Sequence, residues 1–295
     1  MDQKAITFLR TKKDVFQQVS PWGSDAVTRL ISFVDQGKTL RGSLILFTAR
    51  ALGKEIDEDI LSTAAAIELV HAGLLIHDDI MDEDALRRGA PSIYMQYEKV
   101  LTGNSENAVH DGRSLATCVG DLTFFLAFEL LSSVKNIMVI ELCAKEFASV
   151  TIAQMNDVAP GTLEKQTKET ILRTYRYKTG RYSFSMPMVA GAILAGANSS
   201  VQNTLAQLGE AMGILYQLRD DELGAYGDTT KTGKPVGSDH RSRKQTLLTS
   251  DPTFANTQKQ KYSDVCEKEI KALPFSTSDK VILRDLLTFV SARES

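Results

Sequence analysis

Cysteine is scarce in this chain: Cys118, Cys143 and Cys266 are the only three among 295 residues. They lie far apart, are odd in number and form no CxxC pair. That excludes a disulfide framework and a zinc site, and it fits a reducing cytoplasm. Proline is almost as rare, at 7 residues. Pro21, Pro91, Pro160, Pro235, Pro252 and Pro274 read as helix boundaries, whereas Pro187 falls inside a helical-looking run and is expected to kink it. Lys/Arg blocks and basic tails are absent, the net charge is -3 and the pI is about 5.9, so nucleic acid is not an expected partner. The N-terminal residues mix charged with apolar side chains, unlike the core of a leader peptide. The uncharged stretch from Met186 to Asn198 is too short to cross a bilayer. These absences lead to an expectation of a soluble, cytoplasmic protein with no integral membrane segment.

What is present is helical periodicity. Hydrophobic residues make up 43% and charged residues 24%, an ordinary balance for a chain with a sizeable core. Ala, Leu, Ile, Glu and Lys recur, and alternating Val/Thr/Ile runs are few. Helices are predicted near 3–19, 24–35, 39–53, 57–83, 111–133, 136–157, 165–178, 180–196, 200–226, 253–272 and 277–293. The fold class is therefore all-α, with residues 1–295 forming a single domain of roughly ten packed helices. Two loops stand out. One runs from Glu83 to about Val109 and carries Arg87, Arg88 and Gly89. The other runs from Gly227 to about Gln245 and carries Lys231, Lys234, Arg241, Arg243 and Lys244.

Each loop comes after an acidic helix end. The first is His77-Asp78-Asp79-Ile80-Met81-Asp82, closing an apolar helix. Positions i and i+4 share a helix face, so Asp78 and Asp82 point the same way with Asp79 beside them. Like charges at an already negative helix C-terminus are costly without a cation. Hard oxygen ligands favour magnesium or calcium, and magnesium held by few carboxylates points to phosphate as the remaining ligand. The second cluster is Tyr216-Gln217-Leu218-Arg219-Asp220-Asp221-Glu222. A lone Asp-Asp pair reads as a solvated helix end, and a lone loop lysine as exposed. It is the repetition, acid and then a basic loop, that argues for metal and phosphate binding. Gly37-Lys38-Thr39-Leu40-Arg41 adds an anion-binding helix start, although it lacks the Walker A spacing. Lys178-Thr179 sits between two helical runs, where a plain junction is the simpler reading.

Together these strings resemble the trans-isoprenyl diphosphate synthase (polyprenyl synthetase) family, which includes farnesyl and geranylgeranyl diphosphate synthases. HDDIMD followed by RRG is the most specific element, and the motifs keep the family order from about Gly37 to Lys244. The resemblance implies a helical bundle around a deep central cavity and a homodimer. It also implies magnesium as cofactor, with three ions once diphosphate is bound. It assigns Asp78, Asp79 and Asp82, with Asp220 and Asp221, to metal. Arg87 goes to the allylic diphosphate, and Lys38, Arg41, His71 and Arg88 to isopentenyl diphosphate. Gln154 and Asp157 match a Gln-x-x-Asp string. Lys178, Thr179 and Gln217 match residues that shield the allylic cation, and Lys234, Asp239 and Lys244 match later positions. Three departures are visible. Gly224 stands where the second motif usually has its third Asp, Gly42 where proline follows GKxxR, and Tyr216 where phenylalanine precedes Gln217.

The implied reaction is ionisation of an allylic diphosphate (dimethylallyl, geranyl or farnesyl), attack by isopentenyl diphosphate, and loss of a proton to the departing diphosphate. Gly73 and Leu74, five and four residues before Asp78, occupy the positions of a chain-length floor. Gly73 is read as leaving the tail room toward Val70 and Ile67, with Phe124, Phe125 and Phe128 as a lower floor. The expected product is geranylgeranyl diphosphate, the alternatives being farnesyl or longer polyprenyl diphosphates. A class I terpene cyclase is disfavoured by Lys38, Arg41 and Arg88, and a non-catalytic subunit by the nearly complete metal motifs. A calcium module is disfavoured by the lack of an EF-hand loop.

Overall fold

The computed structural model describes residues 2–226 and 246–293. Its residues fall into two compact units. One comprises residues 1–43 and 57–135, the other residues 44–56 and 136–295.

The first unit holds α1 (Asp2–Gln17), α2 (Pro21–Asp35), the start of α3 (Leu40–Ala51), α4 (Glu58–Met81), α5 (Ile93–Leu101) and α6 (Ala108–Ser132). Pro21 opens α2 after Ser20, whose side chain accepts from the Trp22 N–H; proline suits this position because its missing N–H would have no helical partner. The central element is α4. Asp57 caps it by accepting from the Ile60 N–H at 3.0 Å, and Glu58 and Asp59 complement its positive end. Residues 62–70 are buried without interruption, so this helix is buried all round rather than on one face, with Ser62, Thr63 and Glu68 among its buried residues. Each fully buried side chain such as Ile60, Ile67 or Leu69 contributes about 1.5–3 kcal/mol. Small residues let α6 approach α4 closely. A Cβ added to Gly73 would meet Phe124 Cε1 at 2.7 Å and the Gly120 carbonyl at 3.0 Å.

Glu83 to Val109, expected as a loop, is largely ordered. It contains an antiparallel hairpin of β1 (Leu86–Arg87) and β2 (Ala90–Pro91), then α5. The hairpin turns on Arg88 and Gly89, both at positive φ (55° and 79°). This is the geometry a two-residue turn with right-handed strand twist demands. The short helix escaped the sequence reading because its single turn-rich flank carries no sustained period.

The second unit contains the rest of α3, α7 (Ile137–Val158), α8 (Lys168–Tyr175), a π-helical stretch (Arg176–Ser185), α9 (Met186–Leu194) and α10 (Ser199–Tyr226). It ends with a turn at Leu247–Ser250 and two helices, Pro252–Ala272 and Thr277–Ala292. The expected junction at Lys178–Thr179 is not a break. The helix runs on from α8 to α9 through ten residues of π geometry. Pro187 gives one cause: it cannot donate to the carbonyl four residues earlier and its ring crowds that carbonyl. Just before it, the Met186 N–H reaches back five residues to the Arg181 carbonyl. The wide turn is pinned from two sides. Arg181 donates to the buried Glu146 of α7 at 3.0 Å, and Gly180 lies against α10, where its Cβ would meet the Glu210 carbonyl at 2.9 Å.

All three cysteines are free thiols. Helices α4 and α6 are long and apolar enough to cross a membrane by length and composition, but 72% of the α4 window is buried inside the protein, as expected of a core helix.

Candidate active site

In the first unit the chain turns back on itself immediately after α4. Glu83 takes a positive φ of 56°, and the Asp84 N–H returns to the Asp79 carbonyl at 2.9 Å. The β1–β2 hairpin lays Arg87 over the helix end. Its guanidinium bonds Asp79 Oδ1, with Nε at 2.5 Å, and lies 3.4 Å from Asp84 and 3.7 Å from Asp78. Asp79 is 1% exposed, and its Oδ2 is buried with no hydrogen-bond partner among the described residues. Burial pushes its carboxyl up to about 6, Arg87 opposing and the neighbouring Asp84 and Asp78 adding to the rise. A buried carboxylate oxygen without a donor, at the negative end of a helix and among other carboxylates, fits a cation. Asp82 caps α4, its N–H bonding the Asp78 carbonyl.

The turn sends Arg88 elsewhere. Its Nη1 donates to the Phe33 carbonyl at 3.1 Å, and a Cβ on Gly37 would stand 3.6 Å from it. The RRG hairpin therefore reaches the Gly37–Arg41 segment, where Thr39 also has a positive φ of 44°. His71, on α4, is held well below the usual imidazole range by burial and then by Arg41, Arg88 and Arg87. Arg88 itself is lowered by burial and by its like-charged neighbours Arg87 and Arg41. The sequence-predicted Arg41, His71, Arg87 and Arg88 thus share one positive field, which an anion would relieve. Lys38 is exposed on the same segment. Gly42 explains its own departure from the family pattern: its N–H donates to the buried Glu68 at 2.7 Å, a bond proline cannot make. Glu68 was not anticipated, although its place one turn before His71 on α4 signals a shared face.

The floor residues are placed differently from expectation. The space at Gly73 is filled by Phe124 and the α6 backbone, so it is not open to a tail. Phe124 also packs edge-on against His77, with centroids 5.4 Å apart. Phe125 and Phe128 are 71% and 51% exposed. Leu74 is half-buried.

In the second unit, Lys178 pairs with Asp157 of α7, and Thr179 donates to Gln217 of α10 at 2.9 Å. These sequence-predicted residues therefore come together across three helices, with Gln154 one turn before Asp157. The acids closing α10 are all engaged. Asp220 pairs with Arg293, which also lies over the Tyr216 ring at 3.9 Å. Asp221 accepts from Tyr175, and Glu222 is held by Arg219 and Lys259. Burial, and then Asp221, raise the Tyr175 hydroxyl far above the ordinary phenol range, so it stays a donor. Tyr175 and Arg293 were missed. Tyr175 lies one turn before Lys178, a readable signal, whereas nothing in the sequence links Arg293 to Asp220. Gly224 lies within α10, half-buried. Lys234, Asp239 and Lys244 lie outside the described residues. Among the described residues, no three His, Cys, Asp or Glu side chains converge as a ready-made metal cage, so protein atoms alone do not complete a coordination shell.

Comparison with known proteins agrees with this geometry. The polyprenyl synthetase family model matches residues 22–273. A short chain isoprenyl diphosphate synthase of Methanocaldococcus jannaschii is 34% identical over 72% of this chain and 61% of that protein. A geranylgeranyl diphosphate synthase of Methanosarcina mazei is 32% identical over 72% of this chain and 62% of its own length. The matched stretch thus spans about three fifths of these relatives. A crystal structure of geranylgeranyl pyrophosphate synthase from Corynebacterium glutamicum, complexed with isoprenyl diphosphate and magnesium, superposes with a TM-score of 0.81. It is 24% identical and covers 99% of this chain and 98% of that one, a likeness of fold. With its helical architecture, its acid-ended helices and the matched motifs in order, the chain belongs to the polyprenyl synthetase family.

Proposed function

We propose that this protein is a magnesium-dependent trans-prenyltransferase that joins isopentenyl diphosphate to an allylic diphosphate, its two units acting as one catalytic domain. The observation that carries the reading is the first unit's pairing of charges. Burial and then Arg41, Arg88 and Arg87 disfavour the charged form of His71, beside an Asp79 oxygen that lacks a donor among the described residues. That arrangement suits a diphosphate with its cation and little else.

Asp78, Asp79 and Asp82, with Asp220 and Asp221, would hold up to three magnesium ions in the presence of diphosphate. Bound magnesium supplies charge neutralisation for a departing diphosphate, and phosphate oxygens complete a shell that few carboxylates leave unfilled. Arg87 shares the negative charge of the allylic diphosphate. Lys38, Arg41, His71 and Arg88 clamp isopentenyl diphosphate and fix the approach of its double bond. Lys178, Thr179 and Gln217 shield the allylic cation from water, the wide π turn leaving carbonyl oxygens at Lys178 and its neighbours aimed differently from those of an α-helix. Gln154, Lys234 and Lys244 add to diphosphate binding. The proton is lost to the leaving diphosphate, which needs no separate base from the chain.

The product we favour has twenty carbons, as the name of the Methanosarcina mazei relative implies for that protein, with farnesyl or longer products as alternatives. Phe124, rather than a side chain at Gly73, sets the floor. A homodimer is supported by large apolar side chains left exposed on α6 (Phe125, Phe128) and on α7 (Ile152, Met155). The free thiols suit a soluble protein of the cytoplasm.

The test is a product assay. Purified protein is mixed with magnesium, labelled isopentenyl diphosphate and, separately, five-, ten- and fifteen-carbon allylic diphosphates. Discrete chain-extended products support the proposal. Folded protein that incorporates no label, or that cyclises the allylic substrate alone, overturns it.

A further inference from the structure

Tyr175 ends α8, one turn before Lys178, and it is 8% exposed. Its hydroxyl has two fixed partners. It donates to Asp221 Oδ2 and accepts the backbone N–H of Leu247 at 3.2 Å. Asp221 is itself only 6% exposed, so the carboxylate is held from below by a neutral donor. Leu247 opens a helical turn capped by Thr246, which anchors the second partner. Lys178, three residues further on, pairs with Asp157.

We propose that Tyr175 is a positioning residue for Asp221: the Leu247 N–H fixes the hydroxyl, the hydroxyl holds one carboxylate oxygen, and this orients the carboxylate toward a divalent cation carrying a diphosphate. The proposal rests on the reading of Asp221 as a metal ligand. It also gives a role to the departure at Gly224. A second motif without its third carboxylate depends more heavily on the orientation of those that remain, and here that orientation comes from a neighbouring helix. Partners that orient metal ligands without touching the metal typically contribute about 10–100-fold to metal affinity.

The experiment is a titration of manganese into the protein with inorganic pyrophosphate, read by electron paramagnetic resonance, on wild type, Tyr175→Phe, Asp221→Asn and the double variant. Tyr175→Phe keeps the ring and removes only the hydroxyl. It is expected to weaken binding of the affected ion about tenfold and to raise the half-saturating magnesium in turnover, with kcat recovered at high magnesium and the KM for isopentenyl diphosphate unchanged. The double variant is expected to bind no more weakly than Asp221→Asn alone, since Tyr175 acts through Asp221. Wild-type affinity in Tyr175→Phe, or losses that multiply in the double variant, would overturn the proposal. Leu247→Pro provides a second route should Tyr175→Phe fold poorly. It removes the N–H donor at a first helical position where proline is accepted, and unchanged manganese affinity there also overturns the relay. If wild type itself shows no pyrophosphate-dependent manganese binding, the metal reading of the site falls; if it does and only the Tyr175 variants behave as wild type, Tyr175 alone is misassigned.

Discussion

The two acid-ended helices of this protein, α4 and α10, carry similar sequences and are finished in opposite ways. At the end of α4 the balancing charge is local. Arg87 arrives on a hairpin a few residues downstream, and one oxygen of Asp79 is left without a donor among the described residues. At the end of α10 most of the balancing groups come from far along the chain or from other helices, namely Arg293, Lys259 and Tyr175, with Arg219 the local exception. The first end is assembled in advance with an unmet demand for a cation. The second is already neutralised by protein groups that a cation would have to displace or share. Identical letters in a motif therefore do not imply equal readiness to bind.

The largest expected effect tests the α4 end. Asp78→Ala should lower turnover on the order of 10³-fold, in line with the loss of a principal charge-stabilising group, while the melting temperature holds; near-normal kcat would remove the metal role. Next comes pH. The Asp79 carboxyl sits at about 6, above its ordinary value, so below that pH it carries a proton that a cation must expel. The half-saturating magnesium should therefore climb as pH is lowered from 7.5 through 6, about tenfold per unit once the proton dominates. A flat profile would mean that Asp79 stays ionised. Arg293→Met addresses the α10 end. It removes a cation paired with Asp220, so magnesium affinity should rise a few-fold, while the loss of a largely buried partner lowers the melting temperature. Weaker magnesium binding would show that Arg293 assists the site instead of competing for it. The smallest contrast lies on α6: Phe124→Ala should lengthen the prenyl product, whereas Phe125→Ala should leave its length unchanged. Equal product profiles from the two variants would dissolve the assignment of Phe124 as floor.

Most of the helices were legible because α4, α6 and α10 are long runs of helix-forming residues, and α4 opens on the capping Asp57. The chemistry of the α4 end was legible as well, since its acids and arginines are sequence neighbours. Other features depend on distant contacts. Gly73 looked like open space because a missing side chain says nothing about what fills the gap, and here α6 fills it. The Lys178–Thr179 junction looked like a break because a glycine and a nearby proline usually end a helix, whereas here close packing on α10 keeps the helix running. Arg293 was out of reach for the same reason: its partner Asp220 lies 73 positions earlier in the chain.

The π-helical stretch also acts as a spacer. A helix that bonds five residues back holds surplus chain relative to one that bonds four back, and its wide turns absorb that surplus between α8 before it and α9 after it. Removing a single residue between Arg176 and Ser185 would let the helix relax to ordinary geometry with its hydrogen bonds intact and with α8 and α9 close to their present phase. The residues inside the stretch would change instead, and Lys178 and Thr179 would lose their present aim at Asp157 and Gln217 in a chain that still folded. In this protein the length of that segment is as much a part of the site as any side chain on it.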